Sequence, residues 1–241
     1  MVRRDERGMK SASELPSAGQ PWAEPWTPEG VIATLEPLSG EARSARLREV
    51  IERRVGSVTV VMDAPHDPHN GAAVLRSCEA FGVCEVHVVQ RVEPFLVAAT
   101  VTKGTERWVE VRPASSASEA VERLRAAGFR LIATHPSGRL KPSDLASIPR
   151  LALVLGNEHD GISEELERAA DDSVQIPMRG FVESLNVSVA AAILLHAATE
   201  GRPGDLSEAE RRRLYAIGLC QSVPRAREIL EASSLEAKPQ S

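Results

Sequence analysis

Three short segments of this 241-residue chain gather side chains of the kinds that hold ligands or act on protons. In the first, His66-Asp67-Pro68-His69-Asn70 follows an apolar run, and Arg76 lies six residues beyond Asn70. That is nearly two helical turns, so both side chains can project toward the same end of a sheet. In the second, Gly156-Asn157-Glu158-His159-Asp160-Gly161 follows LALVL. A glycine directly after a buried strand permits close backbone approach to a ligand, and Glu158 places a carboxylate at the strand mouth. In the third, Ser184 and Asn186 open a helix of small residues after IPMRGFVE. Free N–H groups there can be capped, or can meet an anion or a ligand carboxylate. Taken singly, each segment has an ordinary structural reading. Asn70 and Ser184 are good caps, Arg76 is a surface cation, and Gly156 fits a tight turn before a helix capped by Ser163.

Several familiar chemistries are missing. No GxGxxG follows a first strand, which removes the dinucleotide fingerprint and the glycine-rich methyltransferase loop. Gly156 and Gly161 are spaced as in a phosphate-binding loop, but Ile162 stands where a lysine is needed. No His/Cys set has zinc spacing. His66 and His69 form an HxxH without a third ligand, and Cys78 and Cys84 read as packing residues, so no metal site is expected.

The elements that must position these segments alternate in type. Residues 57–62, 85–90, 107–112, 129–135, 151–156 and 173–178 read as strands. Residues 70–82, 116–128, 163–170 and 184–200 read as helices. This rhythm predicts an α/β fold, a mostly parallel sheet with helices on both faces. Ligands then sit beyond the carboxyl ends of the strands, where all three segments fall. Ahead of the sheet, Ser39 can cap a helix with Leu47, Val50, Ile51 and Val55 on one face, stopped by Gly56. Residues 207–232 read as one or two further helices. The expected organisation is a flexible Pro-rich arm over 1–38 in which Trp22 and Trp26 can anchor, a basic amphipathic helix over 39–56, a catalytic domain over 57–200 and a helical extension over 201–241.

Composition narrows the class. Net charge is −5, so any nucleic-acid surface must be a local patch. Aromatics are only 3%, against a platform that stacks bases. Three cysteines make no disulfide framework and fit a reducing cytosol, so a cytoplasmic location is expected. The longest apolar stretch, 187–198, is about half of the ~20 residues a membrane span needs. No membrane or targeting segment is expected.

Together, and in this order, the three segments resemble the SpoU/TrmH family of RNA ribose 2′-O-methyltransferases within the SPOUT class. The resemblance covers roughly residues 40–200, and the long IPM-x-G-x-V-x-SLNVSVA segment is its most specific part. It implies a C-terminal deep trefoil knot, S-adenosylmethionine as cofactor, and a homodimer with the active site at the subunit interface. By matching motifs it implies that Thr134, Leu155, Gly156, Ile176, Met178 and Leu185 hold the cofactor. It assigns Arg76 to activating the 2′-hydroxyl and Asn70 to orienting it, with Ser184 and Asn186 shaping the site and Glu158 holding the local network.

The extensions bear on the substrate. Segment 41–56 has five Arg against three Glu, a local net of 5 − 3 = +2. Arg43, Arg46, Arg53 and Arg54 are candidate phosphate contacts, joined by His69, Lys103, Arg107 and Arg179 near the site. Arg211–Arg213, Arg225 and Arg227 make a second candidate patch. About 56 residues are too few for the separate RNA-binding domain common in ribosomal RNA members, whereas short helical extensions on both sides resemble the members that act on tRNA. The expectation is methylation of guanosine 18 in the tRNA D-loop. The alternatives are ribosomal RNA, another tRNA position, or a non-catalytic paralogue that binds RNA or cofactor.

Overall fold

A computed structural model of the chain describes residues 9–11, 21–90, 96–98, 104–157 and 159–236. Glu158, Lys103 and most of the expected arm up to residue 20 lie outside these residues. The chain divides into two compact units, one of Met1–Ser17 with Val55–Pro203, the other of Ala18–Arg54 with Gly204–Ser241.

The first unit contains a separate antiparallel pair, β1 (Met9–Ser11) with β4 (Leu96–Ala98), and a main sheet of six strands. These are β2 (Val58–Asp63), β3 (Glu85–Val89), β5 (Glu110–Ala114), β6 (Arg130–Thr134), β7 (Leu151–Leu155) and β8 (Asp172–Val174). Every pairing is parallel and the order is β5-β3-β2-β7-β6-β8. All six residues of β2 are buried, as are all five of β7, which is why both read as unbroken apolar runs. Alternate side chains feed two cores. Val58, Val60, Met62, Leu151, Leu153 and Leu155 pack with α3 (Pro68–Ala80) and α6 (Val187–Thr199). Val61, Ala152, Val154 and Leu131 pack with α4 (Ala117–Ala126) and α5 (Glu164–Ala169). Helices thus cover both faces, and the period-two pleat sends each strand residue to its layer.

Element ends differ from the sequence expectation where a cap or proline decides them. Helix α3 starts at Pro68, with Asp67 rather than Asn70 as its cap, the Asp67 carboxylate accepting from the His69 N–H at 2.8 Å. Helix α6 starts at Val187 behind an Asn186 cap, so Ser184 does not cap it. Strand β8 stops at Val174, short of Pro177, which has no N–H to give a ladder. Residues 105–107 form a 3-10 turn instead of opening β5.

The second unit holds α1 (Pro28–Leu35), α2 (Glu41–Glu52), α7 (Glu208–Ser222) and α8 (Ala226–Glu236). Residues 28–38, expected within a flexible arm, are helical, and Trp22 is buried. The helix begins behind Gly40, not Ser39, and ends at Glu52, before Gly56. The segments expected as two separate extensions fold into one unit. Gly204 shows why. A Cβ there would lie 1.8 Å from the Glu52 carbonyl oxygen, so only glycine lets this backbone meet the end of α2. Tyr215 Oη donates to Glu36 at 2.6 Å, and Arg48 both bonds Glu36 and lies over the Tyr215 ring at 4.9 Å.

Candidate active site

Beyond the carboxyl ends of β6, β7 and β8 lies a cavity of about 190 Å³. Its walls include Thr134, Leu155, Gly156, Ile176, Met178 and Leu185, the six residues expected around a cofactor, together with Ser184. The lining is mainly apolar, with Ile162, Val174, Val187 and Leu194 completing it. A second, polar cavity of about 680 Å³ shares Thr134, His135, Pro136, Gly161 and Ile162 with it and adds Asp160, Glu167 and Asp172.

The wall after β7 is a small, tightly closed loop. A Cβ on Gly156 would stand 2.3 Å from the Gly161 carbonyl carbon, so the two backbones touch. The Asn157 N–H donates to Gly161 O at 3.0 Å, and Asn157 Oδ1 accepts from the His159 and Asp160 N–H groups at 2.9 and 2.6 Å. Gly161 has φ +69°, a left-handed position that suits glycine. The far end of the loop is held by Asp63, 1% exposed at the end of the central strand, whose carboxylate accepts from the Ser163 N–H at 2.7 Å. Neither Asp63 nor Asn157 stands out in the sequence. An acidic residue ending an apolar strand was the one available signal for Asp63.

The rim beside the cavity is made of side chains. Asn186 Nδ2 donates to Asn70 Oδ1 at 3.0 Å, joining two segments 116 residues apart. The Asn186 Oδ1 accepts from the Ser188 N–H at 2.9 Å and Oγ at 2.6 Å, which closes the start of α6. Arg76, Ser184 and Arg179 are exposed, and among the described residues the Arg76 guanidinium has no side-chain partner. His66 and His159 stand edge to face with ring centroids 5.5 Å apart. Among the described residues no group of three His, Cys, Asp or Glu could hold a metal ion. At the second cavity, the Arg139 guanidinium beside Asp172 holds that carboxyl below its ordinary value.

The expected phosphate contacts fare unevenly. Arg54, just past the end of α2, is only 4% exposed, so it cannot grip a polyanion. Arg46 and Arg53 both pair with Glu49, at 2.8 and 2.9 Å, and Arg43 donates to Ser222 Oγ at 2.9 Å. All three remain exposed, as do His69, Arg107 and Arg179. In the other candidate patch, Arg211 pairs with Glu52 at 3.6 Å, while Arg212 pairs with Glu208 and Arg225 with Glu228.

Residues 57–196 match the model of the SpoU rRNA Methylase family. The chain is 36% identical over 186 residues to the tRNA (guanosine(18)-2′-O)-methyltransferase of Escherichia coli K12, covering 73% of this chain and 81% of that one. Among solved structures, it is similar to the A. aeolicus TrmH/SpoU tRNA modifying enzyme, with TM-score 0.66 and 30% identity over 77% of this chain and 98% of that one. It also resembles the SpoU methyltransferase AviRb of Streptomyces viridochromogenes in complex with AdoMet, with TM-score 0.54 and 28% identity over 61% and 60%.

Proposed function

The chain belongs to the SpoU methylase family, and from that premise we propose that it is an S-adenosylmethionine-dependent tRNA 2′-O-methyltransferase acting on guanosine 18 of the D-loop. The observation that carries the reading is the set of residues around the cavity. Six positions that the family motifs assign to the cofactor line one space, drawn from β6, β7, the loop after β8 and the approach to α6. The fit is chemical as well. Apolar side chains from Leu155, Ile162, Ile176, Met178 and Leu185 suit an adenine face, and Gly156 leaves backbone groups bare enough to read its edge.

When bound, S-adenosylmethionine supplies a methyl group on a sulfonium centre. The residues of this chain must then place the ribose O2′ in line and help its proton leave. We assign Asn70 to orienting the hydroxyl, held in turn by Asn186. Arg76 is the residue at the reacting oxygen. A guanidinium stays protonated near neutral pH, so it serves as a hydrogen-bond donor and fixed charge and not as a free base. It stabilises charge developing on O2′ while the proton passes to substrate phosphate or water. Ser184 shapes the same mouth, and Glu158 holds the surrounding network.

The tRNA reading draws on the named relatives and on the two-sided helical unit. We assign Arg43, Arg46, Arg53, His69, Lys103, Arg107 and Arg179 to phosphate contacts. The trefoil knot belongs to this proposal too. It is supported by the close crossing of residues 138–140 with 173–175, where a Cβ on Gly138 would meet the Val174 carbonyl carbon at 2.5 Å. So does the homodimer, for which Val189 and Ile193, one helical turn apart on α6 and 47% and 38% exposed, offer an uncovered apolar stripe. No described helix is long and apolar enough to cross a membrane, and a cytoplasmic site of action follows from the tRNA substrate.

The deciding experiment incubates the protein with labelled S-adenosylmethionine and unmodified tRNA, then maps the labelled nucleotide. A ribose methyl on guanosine 18 is expected. Label confined to ribosomal RNA, or to another tRNA ribose, would replace the substrate. No label in any RNA would overturn the enzyme reading. Sedimentation at assay concentration tests the dimer.

A further inference from the structure

The start of α6 fixes the direction of a hydrogen-bond chain that ends in the candidate active site. The Ser188 backbone N–H can only donate, and it meets the Asn186 side chain at 2.9 Å. The atom it meets must therefore be Oδ1, which puts the Asn186 NH₂ on the other side of that amide. The NH₂ in turn meets Asn70 at 3.0 Å, so the Asn70 atom facing it must be oxygen as well. One backbone donor thus decides which way round two amides stand. The Ser188 hydroxyl adds a second donor to Asn186 Oδ1, at 2.6 Å. Asn186 is exposed, so packing does little to hold its amide and these two bonds do more.

Two further observations take this chain beyond the closing of a helix. Asn70 lies inside α3, whose cap is Asp67, so its own helix does not need its amide. Ser188 lines neither of the two cavities, so its hydroxyl is no part of the cofactor wall. Resting on the function proposed above, we infer that Ser188 is a positioning residue for methyl transfer, its hydroxyl holding the Asn186 amide so that the Asn70 oxygen is turned toward Asn186 and the Asn70 NH₂ away from it. The direction matters because an amide is a donor on one side and an acceptor on the other. Turning it round puts a lone pair where a proton stood, and a partner chosen for one is left unpaired by the other. Ser188 acts through Asn186 and Asn70, and its effect belongs to the transfer step and not to cofactor binding.

The test reads transfer and cofactor binding separately, with the full chain, unmodified tRNA and S-adenosylmethionine. Ser188→Ala keeps the backbone N–H and removes only the hydroxyl. At saturating tRNA and cofactor its single-turnover rate should fall about two- to tenfold, the range that one hydrogen bond commands. Its melting temperature and its affinity for S-adenosylhomocysteine should be unchanged. Ser188→Thr, which restores a hydroxyl, should recover most of the rate. Asn186→Asp keeps the cap and accepts both Ser188 donors, but it has no NH₂ for Asn70. It should melt like the unaltered protein and lose more rate than Ser188→Ala. Full rate in Ser188→Ala or in Asn186→Asp overturns the proposal, as does a loss in Ser188→Ala that is matched in cofactor affinity or that Ser188→Thr does not repair. If Asn186→Asp fails to fold, the two Ser188 variants decide it. In each of these outcomes the unaltered protein still methylates tRNA, and the function reading stands. An unaltered protein that methylates no RNA overturns that reading, and the role of Ser188 with it.

Discussion

The cavity and its rim follow opposite plans. The cavity has walls of backbone and mainly apolar side chains, with Leu155, Val174 and Leu194 buried, Ile162, Ile176 and Leu185 half-buried and Met178 exposed, and a loop closed on itself through Gly156, Asn157 and Gly161. The rim consists of polar side chains, with Ser184 exposed and Asn186 donating to Asn70 at 3.0 Å, and Arg76 is exposed on α3. The buried part of that wall and its closed loop resist movement, because displacing a packed group costs free energy. An exposed cation is placed by whatever binds it. Under the proposed reading, the cofactor half is largely built before anything binds, and the rim is left for the RNA to order.

The sharpest way to break that division is to damage each side and see whether the losses stay separate. Arg76→Ala should lower single-turnover methyl transfer by about 10²–10⁴-fold, the span of a positioned proton-transfer or charge-stabilising group. Its affinity for S-adenosylmethionine by calorimetry should be unchanged. Gly156→Ala should do the reverse. Its Cβ would overlap the Gly161 backbone, and overpacking of about 1–3 kcal/mol predicts roughly a 10- to 100-fold loss of cofactor affinity, with transfer recovering at saturating cofactor. If both variants lose cofactor binding equally, cavity and rim are one structure and the comparison fails.

Asn186→Ala probes the bond that ties Asn186 to Asn70 within the rim. It removes the α6 cap, worth about 1 kcal/mol of stability, and takes the Nδ2 donor away from Asn70 Oδ1. Transfer should fall about tenfold while cofactor affinity holds, a smaller version of the Arg76 signature. A variant that melts earlier but transfers normally would mean that Asn186 only caps.

The division also explains what the sequence revealed. The parallel sheet was legible because β2 and β7 are unbroken apolar runs ended by polar residues, and because helices recur between strands. The six cavity positions came from three places in the sequence, Thr134 after one strand, Leu155 and Gly156 after another, and Ile176, Met178 and Leu185 in the long third motif, and all six line one space. Element ends were not, because they hang on which of several capable residues takes the cap. Asp67 outcompetes Asn70, and Asn186 outcompetes Ser184. Helix α1 was missed for a different reason. Pro16 to Pro37 reads as a mobile arm, but Pro28 sits at the first turn of α1, where a missing N–H costs nothing. Arg54 looked like its neighbours because burial at a helix end leaves no mark on residue type. Asn157 and Asp63 act through bonds to distant or irregular backbone, which no periodicity records.

A weaker effect is expected at the second cavity. The Arg139 guanidinium keeps the Asp172 carboxyl below its ordinary value. A depressed carboxyl adds stability that is present above its unfolded value, near 3.8, and is lost as pH falls through its folded value. In Arg139→Leu the loss should begin at higher pH, so the acid-unfolding midpoint rises while cofactor affinity at pH 7 stays as it was. Arg139 is 74% exposed, so the shift should be small and should shrink in salt.

The smallest effect is expected at Ala64, on the seam between the regions. It follows Asp63, which pins the cavity loop, and precedes the segment carrying Asn70 and Arg76. Its φ is +46°, where a Cβ costs about 1–2 kcal/mol. Ala64→Gly removes that cost but gives the unfolded chain extra freedom worth about 0.4–1 kcal/mol. The balance should be a gain of about 0–1.6 kcal/mol, or a melting temperature higher by up to about 6 °C. Activity should stay within about twofold, because the Ala64 N–H donates to Val89 O at 3.0 Å and glycine keeps that bond. A stabilised variant that transfers methyl poorly would carry a different lesson. The strained turn would then be what aims the rim at the cavity, and the two regions would be coupled through the backbone of β2.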